Sequence, residues 1–179
     1  MNMNKIFLYY ILWGRGVGNM CNIEFEPVNI RKELDVLNDD FDADDLFMDI
    51  INHRDDVEKV LYHIADYLES IGEWHDWTKL EYFEEFKDDC IERLSEEDFK
   101  KRDWYNIHTI KERHHVNANC PEDVNLFDIL EMIADCVVAG KSRSGVVNKD
   151  YLELNDGILE RAYWNTIKFL SDNIVVNDE

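Results

Sequence analysis

Residues 73–79 read Glu73-Trp74-His75-Asp76-Trp77-Thr78-Lys79, and the reading of this stretch decides the fold. A His and an Asp stand side by side, a Lys follows three residues after the Asp, and two Trp flank the pair. Neutral imidazole nitrogen and ionised carboxylate oxygen are both good ligands for a divalent metal. Adjacent residues on one helix point about 100° apart, so both reach one ion only at a helix end or bend. Gly72, just upstream, supplies such a break. An isolated His-Asp pair is better read as a hydrogen-bonded helix terminus. The weight comes from residues elsewhere: His53 upstream, His114-His115 downstream, and Asp135 inside an apolar run. A carboxylate in such a run needs a partner or a metal.

The chain has 179 residues, enough for one domain with a sizeable core. It is 45% hydrophobic and 12% aromatic, as globular chains are. Forty acidic residues against nineteen basic ones give a net charge of -21. That argues against duplex nucleic acid and anionic membranes, both of which call for clustered Lys and Arg. It suits a cation site, a basic protein partner or simple solubility. Cys21, Cys90, Cys120 and Cys136 are spread out with no C-x-x-C pair, which predicts reduced thiols in a cytoplasmic protein. Two Pro and seven Gly leave few turn residues, so long helices are expected.

Residues 1–19 stand apart. Lys5 precedes a short apolar run from Ile6 to Trp13, then Gly14-Arg15-Gly16-Val17-Gly18. The run is shorter than the ~20 residues that span a bilayer and lacks a small-x-small cleavage site. We read it as an extension, with Met20 as an alternative start and residues 20–179 as a single helical domain. The Met20 start predicts a disordered or loosely docked tail. A short helix is predicted over Val28 to Leu37. Asn38-Asp39-Asp40-Phe41-Asp42 lacks the Gly and closing Glu of a calcium loop and reads as a solvated turn capping the next helix.

Asp44 to Ile51 and Asp55 to Ile71 carry helical periodicity. Val57, Val60, Leu61, Ile64, Ala65 and Leu68 are expected to face inward, His53 with them, and His63 outward. Leu80 to Leu94 predicts a helix with Phe83, Phe86, Cys90, Ile91 and Leu94 inward. Ser95-Glu96-Glu97-Asp98 resembles a capping box opening a helix from Glu96 to about His115, with His108, Glu112 and His115 on one stripe. Asn117 to Asp123 reads as a loop. Asn125 to Ala139 is an apolar helix holding Asp135, with Glu131 and Asp128 one and two turns earlier on the same side. Gly140 to Gly145 closes that helix, and a last helix runs from about Tyr151 to Ile174.

Taken in order, His53, His75-Asp76, His114-His115 and Asp135 each fall on or beside a different helix. This resembles the HD-domain superfamily of metal-dependent phosphohydrolases. His53-x-x-x-Val57 looks like its first element, His75-Asp76-x-x-Lys79 its second in the version with a following Lys, and Ile133-Ala134-Asp135 its third. The extra His108 and His114-His115 are similar to the added histidines of members with a second metal site. Together with Leu130-Glu131-Met132-Ile133-Ala134-Asp135, the double His resembles a phage and bacterial family within or near that superfamily. The match covers roughly residues 45–140. The chain departs from nucleotidase-type members in carrying Lys79 where they have a Glu, and in lacking a glycine-rich continuation after the pair.

The resemblance implies an all-α, HD-type helical bundle with a metal site between helices. It implies His53, His75, Asp76 and Asp135 as ligands of a divalent ion (Mn, Fe, Ni, Zn or Mg), with His108 as a further ligand. Lys79, His114 and His115 are the expected catalytic residues. Lys141, Arg143 and Trp77 are the expected contacts to a small phosphorylated substrate such as a nucleotide, with Trp74 or Trp104 as other stacking surfaces. The plainer alternatives are surface histidines, core Trp side chains, and Lys141 and Arg143 as cations at a helix C-terminus. Two other functions fit the same residues: a non-enzymatic acidic binding protein such as a phage regulator or inhibitor, and a degenerate HD fold that binds a nucleotide without hydrolysing it. The sequence leaves the oligomeric state open.

Overall fold

A computed structural model describes residues 23–25, 43–147 and 153–176. The described chain is mostly helical: α1 (Ala43–Trp74), α2 (Trp77–Glu81), α3 (Phe83–Glu92), α4 (Glu96–Phe99), α5 (Asp103–Lys111), α6 (Leu126–Ser144) and α7 (Ile158–Asn173). Two three-residue strands, β1 (Ile23–Phe25) and β2 (Ile174–Val176), pair in parallel with Ile23 opposite Ile174. The all-α class expected from the sequence is the one observed, with this short pairing added. The N-terminal extension, the helix expected over 28–37 and the acidic turn at 38–42 lie outside the described residues, and the last helix, expected from about Tyr151, begins at Ile158, residues 153–157 not being helical.

The chain divides into two compact units, residues 1–70 with 170–179, and residues 71–169. In the first unit the two helices expected over 44–51 and 55–71 are a single continuous helix. No Gly or Pro stands between them to end the helical hydrogen bonding. Its apolar face is turned from the expected one: Val57 and Leu61 are 44% and 58% exposed, Tyr67 is buried, and His63 is half-buried rather than a surface residue.

The second unit has its core where α6 meets α7 and the loop before α6. Val116, Val124, Ile129, Met132, Ile158 and Ala162 are buried together. Asn125 starts α6 with a capping box: its side chain accepts from the Phe127 and Asp128 amides at 2.9 and 3.1 Å, and Asp128 accepts from the Asn125 amide at 2.8 Å. Asp128 is also gripped by Arg113, at 2.7 and 2.8 Å. That fork ties the loop after α5 to the first turn of α6. Gly145 ends α6 in the left-handed region, φ 75°.

The inward face of α3 also differs from the expected one. Cys90 and Ile91 are exposed, Ile91 by 70%, and the buried residue is Asp89. Its carboxylate accepts from Trp104 Nε1 at 2.7 Å and pairs with Arg102 at 2.9 Å. A satisfied polar pair, together with the edge-on contacts of Phe86 and Phe99 with Trp104, outweighs the apolar pattern. Trp104 is thus a core residue rather than a stacking surface. Ser95 does accept from the Asp98 amide, at 3.1 Å, but the helix it opens is one turn long and α5 starts anew at Asp103.

These two anchors make separate demands on stability. Asn125→Ala removes the acceptor for two α6 amides and should cost about 1–2 kcal/mol, read as a lower urea midpoint with an unchanged slope. Asp89→Ala strands the buried Trp104 N–H and should cost about 1–3 kcal/mol, whereas Asp89→Asn, which keeps an acceptor, should cost less.

Candidate metal centre

The centre is built on a helix break. Helix α1 runs through Gly72 without interruption and stops at Trp74; the break falls on the His75-Asp76 pair itself. Asp76 has φ 57° and ψ 22°, a left-handed conformation that Asp tolerates better than most residues. It precedes α2 in the N-cap position, yet its side chain caps nothing. The carboxylate that would normally bond the first amides of the helix is turned elsewhere.

It is turned toward four histidines. Asp76 Oδ1 lies 3.5 Å from His108 Nε2 and 3.7 Å from His114 Nε2. Asp76 Oδ2 lies 3.5 Å from His75 Nε2, which is 3.6 Å from Asp135 Oδ1. His115 Nε2 is 2.7 Å from His108 Nε2. Three sets of potential ligand atoms each fit within 4.8 Å: Asp76 with His108, His114 and His115; His75 with Asp76 and Asp135; and His75 with His114 and Glu131. These clusters can hold a metal ion. His108 and His114 are each 1% exposed.

The outer hydrogen bonds decide which nitrogens face the centre. The carboxylate of Glu112 accepts both the Thr78 amide, at 2.8 Å, and the Thr78 hydroxyl, at 2.6 Å. With its own proton committed, Thr78 Oγ1 accepts from His108 Nδ1 at 2.5 Å. The His108 proton therefore sits on Nδ1, and Nε2 presents a lone pair inward. Glu131 does the same for two rings at once, accepting from His75 Nδ1 at 2.9 Å and His114 Nδ1 at 3.0 Å. Both Nε2 atoms then face Asp76. Carboxylates that fix the tautomer of inward-facing imidazoles are the usual outer support of a metal site. His115 completes the set by donating from Nε2 to His108, and a cation between the two rings would displace that proton.

The electrostatics follow the same division. The carboxylate of Asp135 beside it, then the bond to Glu131, raises His75 to about 10. Burial, then the charges of His115 and Lys79, lowers His108 to about 3. Burial, then His114 and Lys79, lowers His115 to about 4. Burial pushes Glu131 up, but the bonds from His114 and His75 prevail and bring it to about 2. His75 beside it likewise draws Asp135 down against its burial. The acidic side of the centre attracts positive charge, and His108 and His115 are held neutral, as ligation requires.

Of the residues expected from the sequence, His75, Asp76, His108, His114, His115 and Asp135 converge, and Lys79 joins them through an ion pair with Asp76. His53 is exposed on α1, in the first compact unit, and belongs to none of the three sets. Trp77 is half-buried, edge-on to Trp74 at 5.1 Å. Lys141 is exposed in the last turns of α6; the side chain of Arg143 lies outside the described part. Thr78, Glu112 and Glu131, which hydrogen-bond the cluster's histidines directly or through one another, are residues to which the sequence alone assigns no role. Glu131 precedes Asp135 by one turn on an otherwise apolar helix, and that spacing is a usable signal.

Chelator-stripped protein should be most stable near neutral pH. His75 is raised from an unfolded value near 6.5, so its contribution is complete below 6.5 and is lost as pH rises through about 10. His108 and His115 are lowered, so they cost stability progressively as pH falls below 6.5 toward 4 and 3. Unfolding midpoints measured from pH 4 to 10 should trace this dome, and His75→Gln should flatten its alkaline side.

No curated protein and no solved structure matches the chain. A family of unknown function, DUF5662, matches over residues 42–172, a span that includes every residue of the centre. The chain belongs to that family.

Proposed function

We propose that the chain is a metal-dependent phosphohydrolase of HD type, acting on a nucleotide or another small phosphate ester. One observation carries the reading. Asp76 Oδ1 and His114 Nε2 are both buried without a hydrogen-bond partner, and they face one another across 3.7 Å. Two acceptor atoms left bare in a buried site cost free energy that a cation between them would recover.

The donor set fits a divalent ion. Asp76 Oδ1 with three imidazoles favours a transition metal over Mg, while His75 with two carboxylates is a harder, oxygen-rich set that suits Mn or Mg. Asp76 has one oxygen in each set and joins them. When bound, such an ion makes water a nucleophile at neutral pH and neutralises phosphoryl charge. Within this reading, Asp76, His108, His114 and His115 would hold the ion, and Glu112 and Glu131 fix the imidazole orientations through Thr78 and directly. Lys79 presents a cation for the phosphate. His75 stands on the Asp135 side, its Nε2 3.5 Å from Asp76 Oδ2 and 3.6 Å from Asp135 Oδ1. An anionic substrate approaching a chain of net charge -21 has to be drawn by the centre itself, which favours a small ester over a polyanion.

Metal content of protein purified without chelator tests the first half. We expect a stoichiometric transition metal in the wild type, lost in Asp76→Ala and His114→Ala. A panel of nucleotides and sugar phosphates with added Mn tests the second, with phosphate release lower in Asp76→Ala by about 100-fold or more, the scale of a lost metal-borne nucleophile. Metal without turnover would leave a binding protein; neither metal nor a thermal shift with Mn or Ni would remove the reading.

A further inference from the structure

Lys79 stands where a second ion would stand. Its ammonium pairs with Asp76 Oδ2, the oxygen that faces His75 and the Asp135 side of the centre. The opposite oxygen, Oδ1, lies on the buried imidazole side and has no hydrogen-bond partner. The pairing is built into the backbone: Lys79 is three residues after Asp76, and its amide bonds the Asp76 carbonyl at 2.9 Å in the first turn of α2. Asp76 is 23% and Lys79 32% exposed, so the pair lies with His75 and Asp135 on the more open side of the cluster, away from the buried His108 and His114. An ammonium on one oxygen of a carboxylate blocks that oxygen and repels a divalent cation beside it. Nothing equivalent obstructs Oδ1.

We propose that Lys79 acts as an internal cation that keeps the His75–Asp76–Asp135 side closed to a second ion until a phosphate group draws its ammonium away. This rests on the metal-centre reading above and adds an order of events to it. The first ion binds at Asp76 Oδ1 with His108, His114 and His115. A phosphate then offers Lys79 several charged oxygens in place of one. As the ammonium moves to them, Oδ2 is released, and a second ion completes the set with His75 and Asp135. The coupling is reciprocal: whatever factor phosphate adds to the affinity for the second ion, that ion adds to the affinity for phosphate. The centre would then acquire its full charge only when substrate is present.

The test is a Mn titration of the full chain, followed by the EPR signal of free Mn, with and without millimolar inorganic phosphate. The wild type should bind one Mn alone and two with phosphate, the second giving the broadened spectrum of two coupled ions. Lys79→Met should bind two without phosphate, and Lys79→Arg, which keeps the charge, should bind one. Two ions in the wild type without phosphate would overturn the proposal, as would a single ion in every protein and condition. The phosphate titration uses the wild type alone, so its outcome does not depend on the variants folding. If no protein binds Mn, Zn or Ni, the metal-centre reading fails and this one with it; one ion throughout defeats only the role of Lys79.

Discussion

The centre depends on one backbone conformation. Had α1 continued through residues 75–79, His75 and Asp76 would diverge by about 100° and lie at different heights on the same helix. Because Asp76 is left-handed, α1 ends and α2 starts in a new direction, and both side chains face the same space. Such a conformation costs a non-glycine residue of the order of 1 kcal/mol and persists where surrounding contacts enforce it. Here the enforcement comes from the next two turns. Thr78 is tied by its amide and hydroxyl to Glu112, and Lys79 to Asp76. The residues that fix the break are also those that orient His108 and charge the site.

A second constraint is the turn from His108 to His115. The stripe expected on one helix would have placed His108, Glu112 and His115 in line. In the structure α5 ends at Lys111 and Glu112 is extended, φ -87° and ψ 110°. The chain then doubles back, so that His114 and His115 approach His108 from the far side, with ring centres 6.2 and 4.6 Å away. A straight helix would have kept His108 and His115 about 10 Å apart along its axis and could not have brought their Nε2 atoms together. The Arg113 fork on Asp128 and Asp123 anchors this turn to the start of α6, which in turn carries Glu131 and Asp135.

Much of this is legible in the sequence, and the rest fails for identifiable reasons. The apolar helix with an embedded Asp135, the His75-Asp76 pair and the helical class are all readable, because composition and period decide them. The helix faces are less so. On α3 the period points to Cys90 and Ile91, but a Trp104–Asp89 hydrogen bond fifteen residues apart takes the inward side, and no local pattern encodes a partner at that distance. The same applies to Thr78 and Glu112, thirty-four residues apart, whose roles exist only once the chain has folded. His53 is a different case. A residue placed in the site by resemblance of order alone lies on the first compact unit, exposed, and outside the described cluster.

The balance of charge inside the centre explains why so acidic a chain would concentrate its histidines in one place. Asp76, Glu131 and Asp135 set carboxylates within reach of four imidazoles and one ammonium. Half-buried carboxylates in that number repel one another unless cations are interleaved. In the structure the interleaving is done by a protonated His75, which lies against all three acids, and by Lys79, which lies against the one that joins both sets. Each is an exchangeable cation: a proton that can leave His75, and an ammonium that can swing on four methylenes. A divalent ion can replace either and still supply the positive charge that keeps the cluster together. The cluster's residues come from three separate segments, 75–79, 108–115 and 131–135. Cations in their midst therefore link the end of α1 and α2 with the turn after α5 and the middle of α6, so the chemistry of the centre and the cohesion of this unit rest on the same charges.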